Sequence, residues 1–176
     1  IMEKARLMNE SLIKDFRLQR PKIAVLGINP HCGDKGVIGT EDDDIIRPAL
    51  KKLYFDENIL VFGPFAADSF FGSQSYRNYD AVPAPYHDQG LIPFKMMSFG
   101  KGVNFTAGLS KVRTSPDHGT AYAIADKGIA DESSFRQAVY TAIDIYRRRA
   151  ENEELIANAL DVNSLDKGFL SKEKGD

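Results

Sequence analysis

The stretch KIAVLGINPHCGDKGVIG (22–39) decides how the rest of the chain is read. Its first seven residues form a compact apolar run, too short for a helix and rich enough in β-branched residues for a buried strand. Gly27 and Asn29–Pro30 end the run. A loop rich in Gly, Asn and Asp then carries His31 and Cys32. In an open α/β sheet, ligands bind beyond the carboxyl ends of the strands. A polar, glycine-rich loop just after a buried strand is therefore the first place to look for a site.

Working outward, the same alternation repeats. On the N-terminal side, Leu7, Met8, Leu12, Ile13 and Phe16 recur at helical spacing, which predicts an amphipathic helix over about 3–16. Downstream, Thr40 and Asp43 have capping-box spacing and predict a helix through about Lys52, with Pro48 as a kink or a breaker. NILVFG (58–63) reads as a second strand and FAADSFF as a short helix opened by Pro64. YDAVPAPY (79–86) reads as a third strand, weakened near its end by Pro83 and Pro85. Further strands are predicted at GVNFTAG (102–108) and KVRTS (111–115). Ser115, Pro116 and Asp117 look like a helix start. SSFRQAVYTAIDIYRRRA (133–150) is a clear amphipathic helix; ENEELIANAL extends or restarts it, and LDKGFLSKEKGD reads as a polar, frayed end. Strands alternating with helices predict an α/β fold, largely parallel in its repeated units.

Composition narrows the function. The chain has 176 residues, 43% hydrophobic and 27% charged, as expected for a soluble globular protein. Its 23 basic and 25 acidic residues give a net charge of -2. That offers no electrostatic reason to expect nucleic acid or an anionic membrane as partner. No apolar run approaches the roughly 20 residues of a membrane span. The N-terminal segment lacks a signal-peptide pattern, so a cytoplasmic location is expected. Cys32 is the single cysteine, which excludes a disulfide within the chain and a structural zinc site of several thiolates.

Three histidines are present. His31 follows the first predicted strand and His87 the third. If those strands are parallel, both imidazoles reach one edge, either as divalent-metal ligands or as loop hydrogen-bonding groups. A third ligand is not evident, and His118 sits at the predicted helix start. Asp68 and Asp88 lie nearest the same edge, as acid/base or ligand-orienting groups or, for Asp88, as a helix cap. Lys95, Asn104 and Arg113 each interrupt an apolar stretch. They either bind a phosphate or carboxylate or pair with neighbouring acids. Neither familiar glycine-rich nucleotide motif is present. SPDHGTA could still offer backbone amides to a phosphate or ribose.

Taken together, GINPHCGDKGVIGTEDDDII (27–46), GPFAADSFF (63–71), YHDQGLIPFK (86–95), GVNFTAGL (102–109) and VRTSPDHGTAYAIA (112–125) resemble the 4-hydroxythreonine-4-phosphate dehydrogenases of vitamin B6 synthesis. The resemblance runs from about Pro21 to Arg149, in order. It implies an isocitrate/isopropylmalate dehydrogenase-like three-layer fold, incomplete here at its N-terminus. It assigns His31 and His87 to a divalent metal (Zn, Mg or Co) and Lys95, Asn104 and Arg113 to substrate. Asp68 and Asp88 fall in the catalytic region, and Gly119 and Thr120 match the side that binds NAD or NADP. That family's third metal histidine and a His–Thr substrate pair lie upstream of the segment matching residues 1–20, so the chain reads as a C-terminal fragment. Residues 1–108 correspond to most of a central metal, substrate and dimerisation domain, 109–150 to a return into the cofactor-side domain, and 151–176 to a tail. The implied partners are a small phosphorylated hydroxy-amino acid and a second copy in a homodimer. Alternatives are a dehydrogenase of threonate or erythronate 4-phosphate, a non-catalytic metal- or partner-binding remnant, and, with less support, a metal hydrolase.

Overall fold

The computed structural model describes residues 1–159. Its centre is strand β1 (Ile23–Leu26), every residue of which is buried. β1 pairs in parallel with β2 (Val61–Phe65), in register Ile23 with Val61. On its other side β1 meets the 80–83 segment. Ile23 bridges Ala81 in parallel, and the amides of Ala24 and Leu26 donate to the carbonyls of Ala81 and Pro83. The predicted strand 79–86 is therefore reduced to a bridge. Pro83 and Pro85 have no N–H to give back, so the ladder cannot continue as a strand.

Side chains alternate across β1, as the pleat requires. Ile23 and Val25 pack with Val61 against α1 (Met2–Lys14) and α2 (Arg47–Phe55), through Ala5, Leu50 and Leu53. Ala24 and Leu26 face the opposite way, onto Phe70 of α3 (Ala67–Gly72). Helices thus cover both faces of the strand pair, and the fold is mixed α/β. Gly63 sits at φ +130, and a Cβ there would lie 2.4 Å from the Val25 carbonyl oxygen. Only glycine permits so close an approach between β1 and β2.

The second region is smaller. β3 (Val103–Phe105) and β4 (Thr114–Pro116) form an antiparallel ribbon. The parallel expectation holds for β1–β2 and fails here, because a short connection between adjacent strands allows only the antiparallel return. The 108/109 division falls inside that connection. The Ser115–Asp117 helix start is also overturned: Ser115 and Pro116 are paired in β4, and the nearest helical turn is Tyr122–Ile124.

Residues 87–98 form α4 (His87–Ser98), which accommodates Pro93 inside it. The helix expected from Thr40 instead begins with a π-helical turn, Asp42–Ile46, with no side-chain cap. Pro48 comes two residues after that π-turn, whose wider i→i+5 spacing accommodates a residue without an N–H that would break a regular α-helix.

Helix α5 (Ser133–Ala157) continues through ENEEL and covers the β3–β4 ribbon with Ala138 and Ile145. Residues 160–176, with the whole of the expected polar end, lie outside the described residues. The two regions are joined by a buried ion pair. Arg149 of α5 donates from Nε and Nη2 to Asp15 at 2.6 and 3.2 Å, and from Nη1 to the Leu109 carbonyl at 3.0 Å. Ser11 adds a 2.6 Å hydrogen bond to the same carboxylate.

Candidate active site

The loop after β1 departs sharply from ordinary backbone. His31, Cys32, Gly33, Asp34 and Lys35 all have φ between +43 and +87. Each non-glycine residue held there costs about 1 kcal/mol or more, so the surroundings must impose the shape. Asp42 does much of this. It is fully buried, and its two carboxylate oxygens accept the amides of Ile28 and Asn29 at 2.8 Å each. Asn29 in turn donates from Nδ2 to Glu41 at 2.7 Å, which holds the Glu41 carboxyl below its usual range. The Ile38 amide closes the loop on the Gly33 carbonyl.

Against this loop lie the starts of two helices. Gly27 donates its amide to the Phe65 carbonyl at the end of β2, two residues before α3 and three before Asp68. The Gly27 carbonyl accepts a 3.0 Å bond from Gln89 Nε2, while Gln89 Oε1 accepts the Tyr86 amide at 3.1 Å. The result is a cleft of about 610 Å³ whose walls include Asn29, His31, Asp68, Tyr86 and Gln89. His87 is the first residue of α4, next in sequence to the lining residue Tyr86, but its own side chain is not part of the cleft wall. Its Nδ1 lies 2.7 Å from Asp88 Oδ1, and both side chains are exposed. A carboxylate on Nδ1 fixes the tautomer and leaves Nε2 for a ligand.

The other expected residues gather elsewhere. Lys95, in the last turn of α4, reaches Asp117 at 3.4 Å. Asn104 is exposed on β3, opposite Ser115. Arg113 donates to Thr106 Oγ1 at 2.8 Å across the same ribbon. Gly119 and Thr120 are exposed just beyond β4, where His118 Nδ1 lies 2.9 Å from the Gly119 carbonyl. Among the described residues, no hydrogen bond or ion pair links this group to the His31 cleft.

The donor chemistry available is one imidazole, His31, and one carboxylate, Asp68, on the cleft wall, with His87 exposed beside it at the start of α4; such N and O donors suit a divalent transition ion. In number the donors fall short. Among the described residues, no three His, Cys, Asp or Glu side chains come close enough to hold a metal. A catalytic site ordinarily needs three protein ligands. Cys32 is a poor supplement. Burial, helped by the charges of Asp42, Asp43 and Asp68, pushes its thiol up, against a smaller opposing effect of Arg47.

Sequence reasoning missed Asp42 and Gln89. Asp42 is one of three consecutive aspartates, and nothing in that run marks the one that turns inward.

Comparisons with known proteins give the family. A family profile described as "Pyridoxal phosphate biosynthetic protein PdxA" matches residues 1–142. The chain belongs to the PdxA family. Among curated members, the 4-hydroxythreonine-4-phosphate dehydrogenase of Bacteroides thetaiotaomicron is 49% identical over 172 residues, covering 98% of this chain and 46% of its own length. That of Prosthecochloris aestuarii is 54% identical over 138 residues, 78% of this chain and 40% of its own. The chain thus spans less than half the length of these PdxA relatives. The crystal structure of the Klebsiella pneumoniae 4-hydroxythreonine-4-phosphate dehydrogenase superposes with a TM-score of 0.69 at 38% identity, over 82% of this chain and 43% of that one. A terephthalate 1,2-cis-dihydrodiol dehydrogenase from Burkholderia xenovorans superposes with a TM-score of 0.62 at 30% identity, over 81% and 45%.

Proposed function

We propose that this chain forms part of a divalent-metal-dependent, NAD(P)-linked dehydrogenase. The reaction is oxidation and decarboxylation of 4-phosphooxy-L-threonine to 3-amino-2-oxopropyl phosphate, a step toward pyridoxal phosphate. The activity is proposed for the protein that carries this chain together with the remainder its relatives have. The observation behind the reading is the family match combined with the cleft where His31, Asp68 and the start of α4 converge.

In this reading His31 and His87 hold the ion, and Asp88 orients the His87 ring through Nδ1. The ion supplies Lewis acidity, and the nicotinamide supplies a hydride acceptor. Asp68, on the cleft wall, takes the alcohol proton. Lys95, Asn104 and Arg113 hold the phosphate and carboxylate. Their present partners, Asp117 and Thr106, are exposed or half-buried neighbours that an anion could displace. Gly119 and Thr120 offer backbone contacts to the dinucleotide. Residues 1–108 serve metal, substrate and dimerisation, and 109–150 serve the cofactor side, within an isocitrate/isopropylmalate dehydrogenase-like architecture. The enzyme works as a cytoplasmic homodimer. No helix among the described residues is long and apolar enough to cross a membrane.

The test is formation of reduced nicotinamide from 4-phosphooxy-threonine by the full-length protein. His87→Ala should abolish it with loss of metal, whereas full activity in a metal-free variant would refute the reading. A second reading keeps the machinery and changes the substrate, to threonate or erythronate 4-phosphate or a non-phosphorylated diol. It is favoured by the likeness to a dihydrodiol dehydrogenase. The same assay run over those substrates separates the two.

A further inference from the structure

The segment Gly27–Asn29 touches every wall of the cleft at once. Its first amide meets the end of β2, ahead of Asp68. Its first carbonyl meets Gln89, one turn into the helix that begins at His87. Its next two amides meet Asp42, at the root of the loop that carries His31. Gly27 leaves little room for a side chain: a Cβ would stand 3.0 Å from Cys32 Sγ and 3.2 Å from Asp42 Oδ1, so both would have to give way. The bare α-carbon lets these groups close around the strand end. The five left-handed residues that follow would relax toward ordinary backbone if this root were released.

We infer that Asp42 and Gln89 are positioning residues that clamp Gly27–Asn29 and so fix His31 and His87 relative to each other. Neither needs to touch metal or substrate. Asp42 acts through two backbone amides on the His31 loop, and Gln89 acts on the first turn of α4. The inference rests on the reading of His31 and His87 as ligands, and its test is built to fail separately from that reading.

Asp42→Asn keeps the shape but turns one acceptor oxygen into a donor, leaving one of the two amides unpaired. Asp42→Glu keeps both acceptors. Gln89→Met removes both of that residue's hydrogen bonds at similar volume. In the full-length protein, Co²⁺ affinity is measured by calorimetry and amide hydrogen exchange is followed peptide by peptide. Asp42→Asn should weaken Co²⁺ binding by about tenfold or more, as loss of a ligand-orienting partner does. Exchange should accelerate over 28–38 and stay unchanged in α2 and β2, and Asp42→Glu should recover much of both effects. Gln89→Met should weaken binding with faster exchange confined to 86–90, and it serves as the independent arm if Asp42→Asn does not fold.

His31→Ala is the control for the underlying reading. If it weakens Co²⁺ binding and the clamp variants do not, the positioning role is wrong. If His31→Ala binds Co²⁺ like the wild type, the metal reading falls. The clamp is then judged on exchange alone, with local acceleration upholding it and uniform acceleration overturning it.

Discussion

β1 and β3 are both very short strands, yet they sit in opposite circumstances. All of Ile23–Leu26 is buried, with β2 on one side, the 80–83 segment on the other and helices on both faces. Val103–Phe105 is half-buried at best, has β4 as its strand partner and is covered by α5. The flank of α5 turned away from the ribbon leaves Phe135, Val139, Tyr140 and Tyr146 exposed, Phe135 and Tyr146 by 60% and 69%. A two-stranded ribbon is marginal by itself. The first region holds its shape through its own core. The second depends on its attachment to the first, in which the Asp15–Arg149 pair is the buried ionic contact, beside the Phe16–Phe105 ring contact and the exposed Arg17–Glu151 pair.

Breaking that attachment should have the largest effect. Asp15→Ala strands the Arg149 guanidinium, whose charge the Asp15 hydrogen bond stabilises, in a buried position. The expected loss is about 4 kcal/mol in urea unfolding, with the β3–β4 region exchanging its amides before β1–β2. A loss under about 1 kcal/mol would mean the pair is dispensable. Leu26→Ala strikes the first region's own core, where Leu26 is fully buried against Phe70. It should cost about 3 kcal/mol and lower the stability of both regions together, since the second leans on the first.

Smaller effects sharpen the contrast. Tyr146→Ser, on the outer flank of α5, should change stability by no more than about 0.5 kcal/mol while reducing binding of an apolar dye. A larger loss would show that this flank is packed. Cys32 probes the loop root. Its raised thiol pKa means less thiolate at any given pH, so alkylation at pH 8 should be slower than for free cysteine. The rate should climb over a higher pH range, and a rate equal to free cysteine would contradict the partial burial of Cys32.

The first region was legible in the sequence because its strands are apolar runs with nowhere to go but inside. KIAVLGI and NILVFG became β1 and β2, trimmed or shifted by a few residues, and the amphipathic patterns became α1 and α5. What failed depended on partners remote in sequence. Pro83 and Pro85 weakened the third strand, as expected, but how far depended on which backbone groups β1 required. Ser115–Asp117 carries helix-start residues, yet pairing with β3 outweighed that local preference. At the site, His31, Asp68 and the start of α4 were placed on one edge by strand order alone. Asp42 and Gln89 could not be found that way, because their partners are backbone groups 13, 14 and 62 residues away.

The most direct test of the account is metal binding by the full-length protein, with Co²⁺ titrated into wild type, His31→Ala and His87→Ala. One ion per chain in the wild type, with affinity lost in each single variant, is the predicted result, because both imidazoles serve one site. Undiminished binding in either variant, or two independent sites each lost separately, would contradict a shared metal centre at this cleft.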